Sequence, residues 1–297
     1  MGTTAMREET FEGSGRIELF ARSWRPDGKV RGVIVINHGF LAHSGLYEGF
    51  AEYLVARNLA VFALDMRGHG KSAGGRYWVD EIDDYVQDLA AAIAVVKQRD
   101  PGLPVFVHGH SAGGVVATLY ALDHQSELAG MICASFAFEV PPPEFALQVL
   151  KGIAYIAPRA PLLALHPEDF SRDPVVVERI ASDPLVIHTA GPAHTLAELI
   201  RGHDRLNTSF PRITLPVLIL HGTADKATKA HGSQRFHDES GSTDKTLKLY
   251  EGHLHDLLND LGKEEVMADI VSWIERRLPV GDLSGQARGA IANAAMS

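Results

Sequence analysis

Three side chains and two backbone amides of this chain have the types and spacing needed to activate a hydroxyl for acyl transfer. Ser111 stands in Gly109-His110-Ser111-Ala112-Gly113, after the apolar run that starts at Val105 and before a helical pattern that starts at Gly114. A glycine two residues to either side removes Cβ atoms that would collide in a sharp strand-to-helix reversal, so the hydroxyl is held above a sheet edge. A serine presented that way is a candidate nucleophile. Acyl transfer through it needs a base, a carboxylate that fixes the tautomer of the base, and two donors for the oxyanion. Downstream, Val217-Leu218-Ile219-Leu220 runs into His221-Gly222-Thr223-Ala224-Asp225, which sets a carboxylate just past a strand end. Asp225 is the acid candidate, with an ordinary turn carboxylate as the alternative. The next apolar run ends in Glu251-Gly252-His253-Leu254-His255-Asp256 and offers two bases, His253 and His255, which the residues alone do not rank. The donors would be the amide of Ala112, directly after the nucleophile, and that of Phe40, in the His38-Gly39-Phe40 turn after another apolar run.

For these groups to meet, each must lie at the end of a strand. Apolar runs bounded by turn residues at 17–24, 33–37, 60–64, 105–107, 130–134, 217–220 and 246–250 predict strands, and helical patterns fall between them at 46–57, 85–97, 114–123, 231–239 and 264–277. Such alternation requires parallel crossovers, and uninterrupted apolar runs suit a sheet covered on both faces. The expected fold class is α/β, a mostly parallel doubly wound sheet with an antiparallel edge. The alternation stops at 136–206, where prolines punctuate apolar helical pieces. This segment is expected to be a helical cap inserted into a core made of 1–135 and 207–278. Its apolar residues, among them Phe136, Phe138, Phe145, Leu147, Leu150, Ile153 and Tyr155, would either line an acyl pocket or form the core of the cap. The tail at 279–297 is small and polar and is expected to be flexible.

Composition narrows the function classes. The 297 residues carry 28 Lys and Arg against 37 Asp and Glu, a net charge of −9, with no basic cluster, so a nucleic-acid partner is not expected. No stretch reads as a leader or a membrane span, which makes cytoplasmic residence the expectation. The single cysteine, Cys133, lies in an apolar run and reads as a small core residue. The chain has 15 histidines, but none pairs with a carboxylate at zinc-helix spacing, so neither a metal nor a cofactor is expected. The stretch Asp65-Met66-Arg67-Gly68-His69-Gly70-Lys71-Ser72 lacks phosphate-loop spacing and reads as a structural loop.

Taken in order, these motifs resemble the α/β-hydrolase superfamily and, within it, the monoacylglycerol lipase and lysophospholipase group of serine hydrolases. The resemblance rests on His38-Gly39 with His43-Ser44-Gly45, Asp65-x-Arg67-Gly68-His69-Gly70-x-Ser72, Gly109-His110-Ser111-x-Gly113-Gly114, Ser182-Asp183-Pro184-Leu185, His221-Gly222-x-Ala224-Asp225 and Leu247-Lys248-Leu249-Tyr250-Glu251-Gly252. It implies that the base is His255, three residues after Gly252, in a Ser111-His255-Asp225 triad under a mobile apolar cap. The expected substrate is a small-molecule carboxylic ester, a monoacylglycerol, a lysophospholipid or another apolar or bulky ester, and the apolar cap would bind either a membrane surface or only a monomeric substrate. A thioesterase, an amidase or a carbon-carbon hydrolase would use the same triad, and a low-turnover ligand receptor could keep it. Ala112 and Phe40 depart from the group, which often has Met and Ala there. Backbone donors survive both changes, but the acyl preference of the group is not carried over.

Overall fold

The computed structural model of the protein describes residues 6–279, so the flexible tail expected at 279–297 lies, but for its first residue, outside the described residues. The described chain opens with an antiparallel pair, β1 (Arg7–Glu12) and β2 (Glu18–Trp24), and enters the parallel part of the sheet at β3 (Gly32–Asn37). Alternation follows through α1 (Glu48–Val55), β4 (Leu59–Leu64), α2 (Ile82–Arg99), β5 (Val105–His110), α3 (Ala112–His124) and β6 (Gly130–Ala134). An excursion then runs through α4 (Glu144–Ile156), β7 (Pro161–Leu163), α5 (Pro174–Ser182), β8 (Gly191–Pro192) and α6 (Ala193–Leu206). The chain returns through β9 (Val217–Gly222), α7 (Ala230–Glu239), β10 (Lys245–Tyr250) and α8 (Lys263–Glu275).

Eight strands form one sheet in the order β1-β2-β4-β3-β5-β6-β9-β10, parallel from β4 to β10 and antiparallel where β2 meets β1 and β4. The period of two decides which layer each residue joins. Val33, Val35, Phe62, Val107 and Ile219 pack beneath α2 and α3, whereas Ile34, Ile36, Val61, Phe106 and Leu220 pack against α1 and α8. Both faces are buried, so the central strands carry long apolar runs. Cys133 belongs to the first layer, where burial pushes its thiol up to about 12. The edge strand β1 is absent from the apolar runs because it is Arg-Glu-Glu-Thr-Phe-Glu. Charge on an edge strand discourages pairing with other chains, and Glu9 is held there by Arg99.

The segment between β6 and β9 lies over the C-terminal ends of the parallel strands, with α6 packed on α3 and α4 packed on α6. Its apolar residues divide three ways rather than all facing one pocket. Phe136 joins Phe210 and Phe236 in the sheet core, Leu147 and Leu150 face inward, and Phe145 and Tyr155 point outward at 71% and 92% exposure. The outward pair corrects the expectation that these residues line a pocket or the interior of the cap. The reason is helical periodicity: α4 buries Leu147 and Ala154 on one face, which leaves Phe145, Val149, Tyr155 and Ile156 exposed on the rest of its surface.

Candidate active site

Ser111 occupies the joint between β5 and α3 with φ 54° and ψ −119°, a left-handed backbone that a non-glycine residue adopts only when its surroundings force it. The two flanking glycines explain how. A Cβ on Gly109 would lie 2.6 Å from the Gly113 carbonyl oxygen, and one on Gly113 would strike the Asn37 and His38 carbonyls. Ser111 itself donates its amide to the Ala134 carbonyl at 2.9 Å, so the turn is braced by the neighbouring strand.

The loop after β10 brings His255 to the same edge. Its Nδ1–H donates to Asp225 Oδ2 at 2.7 Å, and both side chains are 1% exposed. Pairing at Nδ1 leaves Nε2 unprotonated and available as an acceptor. The backbone of His255 is fixed through its carbonyl, which accepts from Ser135 Oγ at 2.6 Å and His110 Nε2 at 3.2 Å. Ser111 Oγ and His255 line one cavity; the hydroxyl makes no hydrogen bond among the described residues, and contacts of this kind commonly tighten only when substrate is bound.

Asp225 sits just past β9 as the sequence predicts, in a cage of donors. Oδ1 accepts from the amides of Ala227 (2.8 Å) and Thr228 (3.0 Å), and Oδ2 from His255, Thr228 Oγ1 (2.8 Å) and His221 Nε2 (3.2 Å). Burial alone would raise its carboxyl. The His255 charge and the hydrogen bonds of His221, His255 and Thr228 outweigh burial and hold it well below the usual carboxylate range. His221 is oriented in turn by the Ser233 hydroxyl, which donates to Nδ1 at 2.7 Å. His221 was visible in its motif without a role, and Thr228, three residues beyond Asp225, follows the side-chain-to-backbone turn pattern that could have exposed it. Ser135 and His110 act on a distant carbonyl, and no local pattern signals that.

His253, the other candidate base, faces away. It packs on Gly262 and the Tyr250 ring, and its Nδ1 lies 3.9 Å from Asp260. The amides of Phe40 and Ala112 donate to no carbonyl among the described residues. That of Ala112 belongs to the first turn of α3, where amides have no partner within the helix. Gly39 makes room for this arrangement: a Cβ there would lie 3.3 Å from Ser111 Cβ. The loop from Asp65 to Ser72 is structural. Asp65 accepts from the Ser44 and Lys71 amides, Arg67 forks onto Asp88, and His69 Nε2 bonds the Phe40 carbonyl at 2.7 Å.

Two cavities meet at Ser111 and Phe40. The larger extends beneath α4 and α6 between Phe138, Leu147, Leu150, Leu196 and Ile200. The smaller lies on the His255 side, bounded by Tyr47, Phe170, Ile180 and Ile187. Among the described residues no cluster of three or more His, Cys, Asp or Glu side chains could hold a metal ion, and no helix is long and apolar enough to cross a membrane.

Residues 28–262 match the Hydrolase_4 family, described as serine aminopeptidase, S33. The chain is 33% identical over 282 residues to a monoacylglycerol lipase of Mycolicibacterium smegmatis, a match that covers 94% of this chain and 100% of that protein. It is 34% identical over 267 residues to the monoglyceride lipase of Rattus norvegicus, covering 88% of each. Its structure is similar to the crystal structure of Paleococcus ferrophilus monoacylglycerol lipase, with a TM-score of 0.78 and 30% identity over 87% of this chain and 99% of that one.

Proposed function

Since the chain belongs to the Hydrolase_4 family of α/β hydrolases and is a serine ester hydrolase, we propose that Ser111 is its nucleophile, His255 its general base and acid, and Asp225 the carboxylate that orients His255. The observation that carries this assignment is the 2.7 Å His255–Asp225 pair, buried at the edge of the cavity into which the strained Ser111 turn projects its hydroxyl. In the forward step His255 Nε2 takes the hydroxyl proton as Ser111 Oγ attacks the ester carbonyl. The amides of Phe40 and Ala112 receive the oxyanion, with the positive end of the α3 dipole behind Ala112. Asp225, ionised at any working pH, stabilises the imidazolium that forms. His255 then hands the proton to the departing alcohol, and water releases the acid from the acyl-enzyme by the same route.

The reading extends to the parts around the site. The segment 136–206 serves as a cap on the core formed by 1–135 and 207–278, and the larger cavity beneath it takes the acyl chain, supported by its hydrocarbon walls. The outward face of α4, with Phe145, Val149 and Ile156 on one side of the helix, is the surface that would rest on a lipid interface. Cytoplasmic residence belongs to the same reading, supported by a lone buried cysteine that needs no oxidising compartment. Thioesterase, amidase and receptor readings are not favoured, since the relatives described above are ester hydrolases by name.

The test is a Ser111→Ala variant assayed on p-nitrophenyl butyrate, beside labelling of the unmodified enzyme with a fluorophosphonate. Loss of a triad serine removes about 10⁴-fold or more in kcat. Label found on Ser111 together with that loss supports the assignment. Retention of the unmodified rate by the variant would overturn it.

A further inference from the structure

Among the described residues, the polar side chains that line the larger cavity are Ser111, Thr228, which is already bonded to Asp225, and His203. Along α6, Leu196, Ile200 and His203 fall at i, i+4 and i+7 and share the face turned to the cavity. Leu196 belongs with Phe40 and Ala112 to one packed cluster beside the nucleophile, so His203 marks the far end, about 10 Å further along the helix. There its ring lies against Phe138, with 4.4 Å between centroids, and makes no hydrogen bond among the described residues. Burial lowers its pKa, so at neutral pH the imidazole has one N–H to donate and one bare nitrogen to accept. The cavity does not close at this point. Val140, Pro142, Leu147 and His203 also line a polar recess between the start of the cap segment, the end of α6 and the start of α7. Of the charged side chains bordering that recess, Arg235 is paired with Glu239, Asp204 with Lys151, and Glu139 with His231. That leaves Glu144 and Lys229, one of each sign, without an ion pair among the described residues, and such a border selects neither sign of charge. A chain end that reaches this junction leaves hydrocarbon for polar surface and an imidazole without a partner. A methyl group gains little there, whereas a hydroxyl is neutral and both donates and accepts, as the imidazole does.

We propose that His203 is a specificity-determining residue at the far end of the acyl subsite and that it binds the terminal hydroxyl of a hydroxylated acyl chain. The inference rests on the assignment above of Ser111 as nucleophile and of the larger cavity to the acyl chain. An extended chain covers the 10 Å from Leu196 to His203 with roughly eight carbons or a little more. A hydroxyl carried closer to the carbonyl would be buried against Leu147, Leu196 and Ile200 without a partner, which is strongly disfavoured. The effect of a terminal hydroxyl therefore reverses with chain length.

Methyl hexanoate, methyl 6-hydroxyhexanoate, methyl decanoate and methyl 10-hydroxydecanoate share one leaving group. The ratio of kcat/KM between hydroxylated and plain ester, followed by acid release, thus reports the far end of the acyl chain alone. With the six-carbon chain the terminus lies within hydrocarbon, and the hydroxylated ester should be poorer by about tenfold or more, the scale on which apolar pockets reject an added hydroxyl. With the ten-carbon chain it reaches His203, and the hydroxylated ester should equal or exceed the plain one. His203→Leu should lower the ten-carbon ratio by about tenfold or more and leave the six-carbon ratio within about twofold. His203→Gln, which keeps a donor and an acceptor, should retain the ten-carbon ratio within about threefold. A ten-carbon ratio as low as the six-carbon one in the unmodified enzyme, or one that His203→Leu leaves untouched, overturns the subsite proposal while the ester hydrolase assignment stands. Failure to hydrolyse any of the four esters, with no fluorophosphonate on Ser111, overturns both.

Discussion

Replacing Gly113 by alanine tests whether the nucleophile turn and the loop carrying Phe40 form one mechanical unit. The added methyl would collide with the Asn37 and His38 carbonyl oxygens and lie 2.8 Å from the Asn37 carbonyl carbon. Ordinary contact begins at 3.4 Å, so the end of β3 must retreat by roughly 0.6 Å or more. Neither side yields easily, because Gly113 is in the first turn of α3 and Asn37 is the last residue of a strand paired on both edges. Overpacking of this kind costs about 1–3 kcal/mol, which lowers Tm by roughly 2–12 °C in a chain of this size. The same retreat carries the Phe40 amide, three residues beyond Asn37, away from Ser111. A misplacement approaching 1 Å between reacting groups costs about a hundredfold in rate, and the loss should appear in kcat, since the donor acts on the transition state. Thermal unfolding and steady-state kinetics on p-nitrophenyl butyrate read the two effects separately. Gly152→Ala is the control, because a Cβ there meets nothing within 4 Å and a glycine inside a helix is worse than alanine by about 1 kcal/mol, so that variant should hold its rate and gain slightly in Tm. Refutation would be a Gly113→Ala enzyme within about threefold of the unmodified kcat and within about 1 °C of its Tm.

Two further outcomes follow from the surroundings of the site. Asp260 accepts from the amides of Arg172, Leu254 and Leu261 and from Arg172 Nε; burial raises its carboxyl, but these donors hold it below its ordinary value. A depressed carboxyl stabilises the fold above its unfolded pKa of about 3.9 and loses that contribution as pH falls through its folded value. Asp260→Asn should therefore destabilise the protein at pH 7 and progressively less at pH 3 and below, as measured by urea unfolding; an equal deficit at both pH values would contradict the sign. On the outer face of α4, Phe145→Ser combined with Ile156→Ser removes two of the exposed side chains that would enter a lipid interface. Co-sedimentation with phosphatidylcholine vesicles should fall about fivefold or more, with turnover of a dissolved short ester unchanged within about twofold. Undiminished vesicle binding removes the lipid-contact role of this face.

What the sequence disclosed is set by how local each signal is. The central strands of the sheet were readable because both faces are buried, which leaves apolar runs such as Gly32–Asn37 and Leu59–Leu64 between turn residues. The nucleophile turn was readable because its steric problem is solved within five residues, by Gly109 and Gly113. Strand β1 escaped because an edge strand is recognised by its partner rather than by its own side chains, and Glu9 finds its counterion 90 positions away at Arg99. In the excursion between β6 and β9, apolar content announced buried surface but not its direction. Phe136, Leu147 and Phe145 have similar character, yet they went to the sheet core, the inside of the cap and the solvent. For Leu147 and Phe145 the pairing of α4 with α6 decides that, and it depends on contacts across roughly fifty positions.

The two histidines after β10 show the same limit at the centre of the site. Spaced two apart, His253 and His255 would share a side if the strand continued, but Gly252, at φ 71°, ends it and opens a turn in which that parity no longer applies. From there each orientation is imposed from outside. The His253 carbonyl is held by the Ala224 amide and the Leu254 amide by Asp260, while the His255 carbonyl is held by Ser135 and His110, 120 and 145 positions earlier. His110 is the residue just before Ser111, so the turn that presents the hydroxyl also fixes the backbone of the base opposite it. The ring of His110 is kept neutral by burial, which lowers its pKa, and it therefore has one proton to give; with Nε2–H bound to the His255 carbonyl, Nδ1 is left to accept from Tyr47 Oη. The spacing Gly-His-Ser thus does two things at once: the glycine shapes the turn, and the histidine ties that turn to the loop that supplies the base.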